Sequence, residues 1–168
     1  MRKTSSKVLL ALFNAIGDIS GRSFLDLFSG SGQIAREAWA RGARPVVAVE
    51  ADKASCANLR SLCRDREGLE VVCMDVRRAL PKLAKDGYEF SVIFADPPYE
   101  YGWIGWLLSS LSKYDLLLKP DGLLVLERSK REDLPLPLEG WNLYKERSYG
   151  DTVLSFLCRG EGSPKEEK

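Results

Sequence analysis

Two rhythms alternate along this chain. Short apolar runs of strand length are followed by stretches in which apolar residues recur every three or four positions, the pattern of a helix with one buried face. The first such stretch runs from about residue 5 to residue 16, with Val8, Leu9, Leu12, Phe13 and Ile16 on one face and Ser5 or Ser6 placed to cap it. Gly17 and Gly21 break it. Residues 23–28 then read as a buried strand, Ser29-Gly30-Ser31-Gly32 as a tight loop, and residues 33–41 as a helix stopped by Gly42. The alternation continues with a strand at 45–50, a helix at 52–66, a strand at 69–74 and a helix at 76–85. It runs on through a strand at 88–95, a helix at 101–118 whose start Gly102 and Gly105 loosen, and a strand at 122–127. Residues 141–148 and 152–159 predict a hairpin turning at Tyr149-Gly150-Asp151.

Strands separated by helices imply an α/β fold, a mostly parallel sheet covered on both faces. Such sheets bind ligands at the carboxyl ends of their strands. Four acids stand there: Asp26 near the end of the first strand, Glu50 after the second, Asp75 after the third and Asp96 after the fourth. They converge on one crevice.

Composition narrows the chemistry. At 168 residues the chain fits one domain, expected over residues 1–160, followed by a charged, disordered tail at 161–168. Lys+Arg number 25 and Asp+Glu 24, so a nucleic-acid binder of this kind relies on local basic patches rather than on net charge. The absence of histidine removes Ser-His, Cys-His and His-ligated metal chemistry. Cys56, Cys63, Cys73 and Cys158 form no CxxC pair, so no metal site is expected and they read as small buried hydrophobes in a reducing compartment. No apolar run approaches the ~20 residues of a membrane span, and the expected location is the cytoplasm.

Two motifs carry chemistry. Residues 24–32 join a strand to a helix through a loop whose two glycines let a ligand approach the backbone. Asp26 beneath that loop would repel a pyrophosphate but suits the ammonium of S-adenosylmethionine. Glu50, 18 residues beyond Gly32, is placed to accept ribose hydroxyls, and Asp75, with the amide of Val76, to meet the adenine. Gly30-Ser31-Gly32-Gln33-Ile34-Ala35 also fits the dinucleotide pattern G-x-G-x-x-A, against which Asp26 argues. The second motif is Asp96-Pro97-Pro98-Tyr99. It combines an acceptor carboxylate, carbonyls held rigid by proline and a flat ring for stacking, which suits an exocyclic amine on a nucleobase.

Taken together, residues 2–159 resemble the RsmD-like methyltransferases, which modify the exocyclic N2 of a guanine in small-subunit ribosomal RNA. The resemblance rests on Leu12-Phe13-Asn14, the loop at 25–32, Arg41-Gly42-Ala43, Val49-Glu50, Asp96-Pro97-Pro98-Tyr99 and Tyr149-Gly150-Asp151-Thr152. It implies a Rossmann-like class I methyltransferase fold, a seven-stranded mostly parallel sheet with helices on both faces and a C-terminal antiparallel hairpin. Family members usually carry a basic N-terminal extension before an Arg-Pro-Thr-Thr-Asp-Arg segment, to which residues 1–7 correspond loosely.

The resemblance implies cofactor contacts from Asp26, Phe28, Ser29, Gly30, Gly32, Glu50, Ala51, Asp75, Val76 and Asp96, and catalysis by Asp96, Pro97, Pro98 and Tyr99. The base, turned out of its helix or loop, would stack on Tyr99 while Asp96 and the Pro97 carbonyl hold its amine. Arg2, Lys3 and Lys7 before or early in the first helix, and Arg128, Lys130 and Arg131 after the fifth strand, form two clusters able to hold RNA phosphates. Trp103 and Trp106 are placed to stack bases or to pack on the sheet. The expected partner is ribosomal RNA or the small subunit, met by a monomer. Competing readings are an adenine-N6 or other amino-group methyltransferase on DNA or another RNA, and a noncatalytic assembly factor that binds the cofactor.

Overall fold

The computed structural model describes residues 4–99, 101–135 and 138–160; the expectations for Arg2, Lys3 and the tail at 161–168 lie outside the described residues. The chain runs α1 (Ser6–Ile16), β1 (Phe24–Leu27), α2 (Gln33–Ala40), β2 (Val46–Glu50), α3 (Lys53–Leu62), β3 (Leu69–Cys73) and α4 (Val76–Lys85). It continues through β4 (Phe90–Ala95), α5 (Trp103–Lys113), a short 3-10 turn (Asp115–Leu117), β5 (Leu118–Ser129), β6 (Trp141–Tyr149) and β7 (Thr152–Arg159). The seven strands form one sheet in the order β3-β2-β1-β4-β5-β7-β6. β1 to β5 are parallel, and β7 enters antiparallel between β5 and β6.

Strand alternation divides the core between the two faces of the sheet. Leu25, Leu27, Val49, Ile93 and Leu126 face α4 and α5, where Leu80, Leu83, Leu107 and Leu111 meet them. Phe24, Val46, Ala48 and Phe94 face the other way, onto Leu12 and Phe13 of α1, Ala35 and Ala38 of α2 and Leu59 of α3. Each fully buried large side chain of this kind stabilises the fold by about 1.5–3 kcal/mol. The central strands read as continuous apolar runs because both their faces are covered.

The ends of the elements follow local chemistry. Ser5 accepts from the Val8 amide and caps α1, and Asp52 accepts from the Ser55 amide and caps α3. α3 stops at Leu62, short of residue 66, because the chain turns through Cys63. α5 is shorter than the 101–118 pattern because Gly102 precedes it in a left-handed conformation and, at the other end, Tyr114 leads the chain into the 3-10 turn. β5 is longer than expected because Leu118 pairs with Phe90 ahead of an irregularity in the ladder. Trp103 and Trp106 pack edge-on to each other, centroids 5.4 Å apart, against the α5 side of the core, the packing role of the two considered. The four cysteines are free; Cys56 and Cys63 are buried as expected, whereas Cys73 and Cys158 are only half-buried. No helix among the described residues is long and apolar enough to cross a membrane.

The strand order reverses between β1 and β4, since the chain leaves β1 toward β2 and returns to pair β4 on the other side. A doubly wound sheet opens its ligand crevice at such a point.

Candidate active site

A cavity of about 370 Å3 opens at that reversal, bounded by the loop after β1, the end of β2 and the segment after β4. Its volume lies in the range of small-molecule sites.

The β1 loop is held from two sides by carboxylates. Asp26, 1% exposed, accepts from the Ser29 hydroxyl at 2.8 Å and from the Ala35 backbone amide at 3.1 Å. It ties the loop to the first turn of α2. Glu50 accepts from the Gly30 amide at 2.7 Å through one oxygen and from the Asp52 amide at 2.9 Å through the other. Ser29 donates its own amide to the Val49 carbonyl at 2.8 Å, so the loop rests on β2 as well. Gly32 approaches Leu59 so closely that a Cβ there would fall 2.1 Å from the leucine Cδ1. A side chain at this position would force Leu59 to shift and would be strained by the left-handed φ of 78° in any case.

Phe28 takes a left-handed backbone conformation, φ 62°. For a bulky residue this costs on the order of 1–3 kcal/mol and needs support from its surroundings. Trp103 supplies it, meeting the Phe28 ring edge-on with centroids 4.9 Å apart. The strained turn puts the aromatic ring at the edge of the cavity.

On the other side of the reversal stand Asp96, Pro97, Pro98 and Tyr99. Pro97 is buried, whereas Asp96 and Tyr99 are half-buried. Asp96, Asp26 and Glu50 thus surround one space with three carboxyl groups. Burial pushes the Asp26 carboxyl up to about 8; the Ser29 hydroxyl opposes this, and the charges of Asp96 and Glu50 add to it. A site of this kind favours a cationic guest, which would relieve both the repulsion and the burial of charge. Among the described residues no group of three or more candidate ligands is disposed to hold a metal ion.

The structure brings together Asp26, Phe28, Ser29, Gly30, Glu50, Asp96, Pro97, Pro98 and Tyr99 around one cavity. It leaves Gly32, Ala51, Asp75 and Val76 outside the lining. Asp75 caps α4 by accepting the Arg77 amide at 2.8 Å, and its two oxygens are gripped by the Arg77 guanidinium, each at 2.9 Å. That grip, with the Arg77 amide, holds the Asp75 carboxyl below its usual range. Val76 is buried in the core. The lining also includes Ser31, Gln33 and Ile34, which belong to the glycine-loop pattern, Phe94 of the apolar run of β4, and Thr4, which carries no signal in the sequence.

The expected basic cluster after β5 divides. Arg128 lies within β5, 8% exposed. Its guanidinium donates to the Ser155 hydroxyl at 3.1 Å, the Glu132 carbonyl at 2.6 Å and the Glu146 carboxylate at 2.7 Å. This corrects the phosphate-binding expectation for Arg128: its donors bind β5 to β6 and β7. Lys130 and Arg131, one turn beyond, are exposed, as is Lys7 on α1.

A family model described as conserved hypothetical protein 95 matches residues 1–158. The chain is 33% identical to ribosomal RNA small subunit methyltransferase D of Haemophilus influenzae, over 89% of this chain and 79% of that one. The solved structure of yhhF from Escherichia coli superposes with a TM-score of 0.82 at 26% identity, covering 95% and 87% of the two chains. At 17% identity, where only the fold is comparable, an RNA methyltransferase of Salinibacter ruber solved with S-adenosyl-L-homocysteine superposes with a TM-score of 0.71 over 99% of both chains.

Proposed function

The chain belongs to the family described as conserved hypothetical protein 95, and on that premise we propose that it transfers a methyl group from S-adenosylmethionine to the exocyclic N2 of a guanine in small-subunit ribosomal RNA. The observation that carries this reading is the placement of Asp96-Pro97-Pro98-Tyr99 and the Asp26–Glu50 loop clamp on one cavity, at the reversal of the strand order.

When bound, the cofactor supplies an electrophilic methyl group on a sulfonium. The chain's own residues do the rest. Asp26 and Glu50 provide negative charge for the ammonium and acceptors for the ribose hydroxyls. The Glu50 oxygens keep lone pairs beyond those given to the Gly30 and Asp52 amides. Asp96 and the Pro97 carbonyl accept from the base amine, keeping its lone pair directed at the methyl carbon, and Asp96 is placed to receive the proton the amine sheds. Tyr99 offers a face for the extruded base. With an electrophile already activated, alignment of the two reacting atoms supplies most of the acceleration. The protein acts on RNA as a monomer in this reading, and Lys7, Lys130 and Arg131 are its phosphate contacts.

The test is direct. Undermethylated small subunits, naked ribosomal RNA and DNA are each incubated with the protein and labelled S-adenosylmethionine, then digested to nucleosides. N2-methylguanosine is the expected product. N6-methyladenine would move the reading to an adenine enzyme, and the absence of label in every substrate would overturn it.

A further inference from the structure

A second cavity, of about 270 Å3, adjoins the first and shares Thr4 with it. Its walls come from Lys7 of α1, from Glu127 of β5 and from Tyr149 and Thr152 at the β6–β7 turn. The cofactor reading does not use it.

Its position follows from the sheet. β4 and β5 run parallel in a register that pairs Ala95 with Leu126. Asp96, directly after β4, and Glu127, the next residue of β5, follow this last pair, whose strands lie about one strand spacing (~4.8 Å) apart, and so leave the sheet as neighbours. One carboxylate lines the first cavity and the other lines the second. Glu127 is 1% exposed. A carboxylate accepts hydrogen bonds through up to four lone-pair sites and disfavours an acceptor set against it, so this wall of the cavity favours an occupant that presents a donor.

We infer that Glu127 selects guanine, by accepting the N1–H of the extruded base while the neighbouring Asp96 holds the N2 amine. The inference rests on the methyl-transfer reading above. Guanine carries N1–H and N2–H2 side by side on its pairing edge, two adjacent donors for two adjacent carboxylates. Adenine offers an amine next to a bare ring nitrogen, which would set a lone pair against the Glu127 carboxylate. Lys7, exposed on α1 at the cavity wall, is placed to neutralise the phosphate of the same nucleotide.

The test uses 2-aminopurine, which keeps the N2 amine but has an acceptor in place of N1–H. Once labelling has located the methylated position, small-subunit RNA is prepared with guanine or with 2-aminopurine there. The wild-type protein should prefer guanine by about 10- to 100-fold in kcat/KM, the worth of one well-made base contact. Glu127→Gln introduces an amide N–H that can meet the acceptor, so it should lose about 10- to 100-fold on guanine and narrow or invert the preference. Its affinity for S-adenosylhomocysteine should stay within twofold of wild type, which reports an intact fold. Equal use of the two bases by the wild-type protein overturns the inference without recourse to any variant. So does a folded Glu127→Gln protein with an unchanged preference. A wild-type protein that forms no N2-methylguanosine fails at the earlier step and takes the inference down with the methyl-transfer reading.

Discussion

Glu50 accepts the backbone N–H of Gly30 at 2.7 Å, so the side chain assigned to the cofactor's ribose also fixes the loop on which the cofactor would lie. The second Glu50 oxygen holds the Asp52 amide at 2.9 Å, at the cap of α3. Binding and preorganisation are therefore joined in one residue. Glu50→Ala removes both, and hydrogen bonds to a charged partner are each worth about 1.5–3 kcal/mol. The Kd for S-adenosylhomocysteine, measured by calorimetry, should rise by at least about 10- to 100-fold. Glu50→Gln retains one acceptor oxygen and should fall between the two. An unchanged Kd in the alanine variant would remove Glu50 from the cofactor site.

Asp96 stands on the other side of the same cavity, and its charge adds to the burial that raises the Asp26 carboxyl. Asp96→Ala should therefore separate binding from chemistry. Methyl transfer should drop by about 100-fold or more, the scale of a positioned proton acceptor, while the Kd for S-adenosylhomocysteine changes little. Near-normal turnover in single-turnover assays would exclude Asp96 as the acceptor of the amine.

Most of this arrangement was legible in the sequence, because the strand–helix rhythm places a residue's chemistry once a strand end is located. Asp26, Glu50 and Asp96 were found that way and do line one cavity. The same logic extends to Glu127, which closes the apolar run at 122–127. Asp75 sits at a strand end too, outside the cavity lining, and its carboxylate pairs with Arg77 two residues later, a side-chain pairing that strand position does not reveal and that does not exclude contact with the adenine. Arg128 is not legible as a strand residue because the apolar run ends before it, whereas the strand continues to Ser129 to pair with Thr152. A charged residue can remain inside a strand when partners on neighbouring strands complete its hydrogen bonds, and those partners are remote in sequence.

That pairing makes the two halves of the basic cluster behave differently. Burial pushes the Glu146 carboxyl up, and the Arg128 guanidinium and the Ser155 hydroxyl more than offset it, so the carboxyl sits below its ordinary range. Arg128→Ala would take the cation from Glu146, whose exposed carboxylate water can still solvate, and the donor from the buried Ser155, and should cost about 1–2 kcal/mol of stability, seen as a lower melting temperature. Lys130→Ala/Arg131→Ala should leave melting unchanged. It should weaken RNA binding at low salt and reduce the slope of log affinity against log salt by nearly 2, one unit for each lost phosphate contact. A double variant with an unaltered slope would take this edge of the sheet out of the RNA interface.

Asp26 gives the site a pH signature of known sign. Burial is the largest cause raising its carboxyl, and the folded value of about 8 exceeds the ordinary 3.8. Between those two values the folded protein keeps a proton that the unfolded chain has released. Stability contributed by this group must therefore fall as pH rises from about 4 to about 8, by up to ~1.4 kcal/mol per pH unit. Asp26→Asn keeps an acceptor for Ser29 and Ala35 and removes the titration. Relative to wild type, the variant should gain stability steadily across this window, by a few kcal/mol at pH 8. Cofactor binding runs the other way. A cationic amino group beside Asp26 favours the ionised carboxylate, so binding should release a proton and tighten with rising pH until about 8. Calorimetry in buffers of different ionisation enthalpy should detect that proton in the wild-type protein and not in Asp26→Asn, whose affinity should also be lower and flat with pH. Equal proton release by both proteins would show that the ammonium lies elsewhere in the cavity.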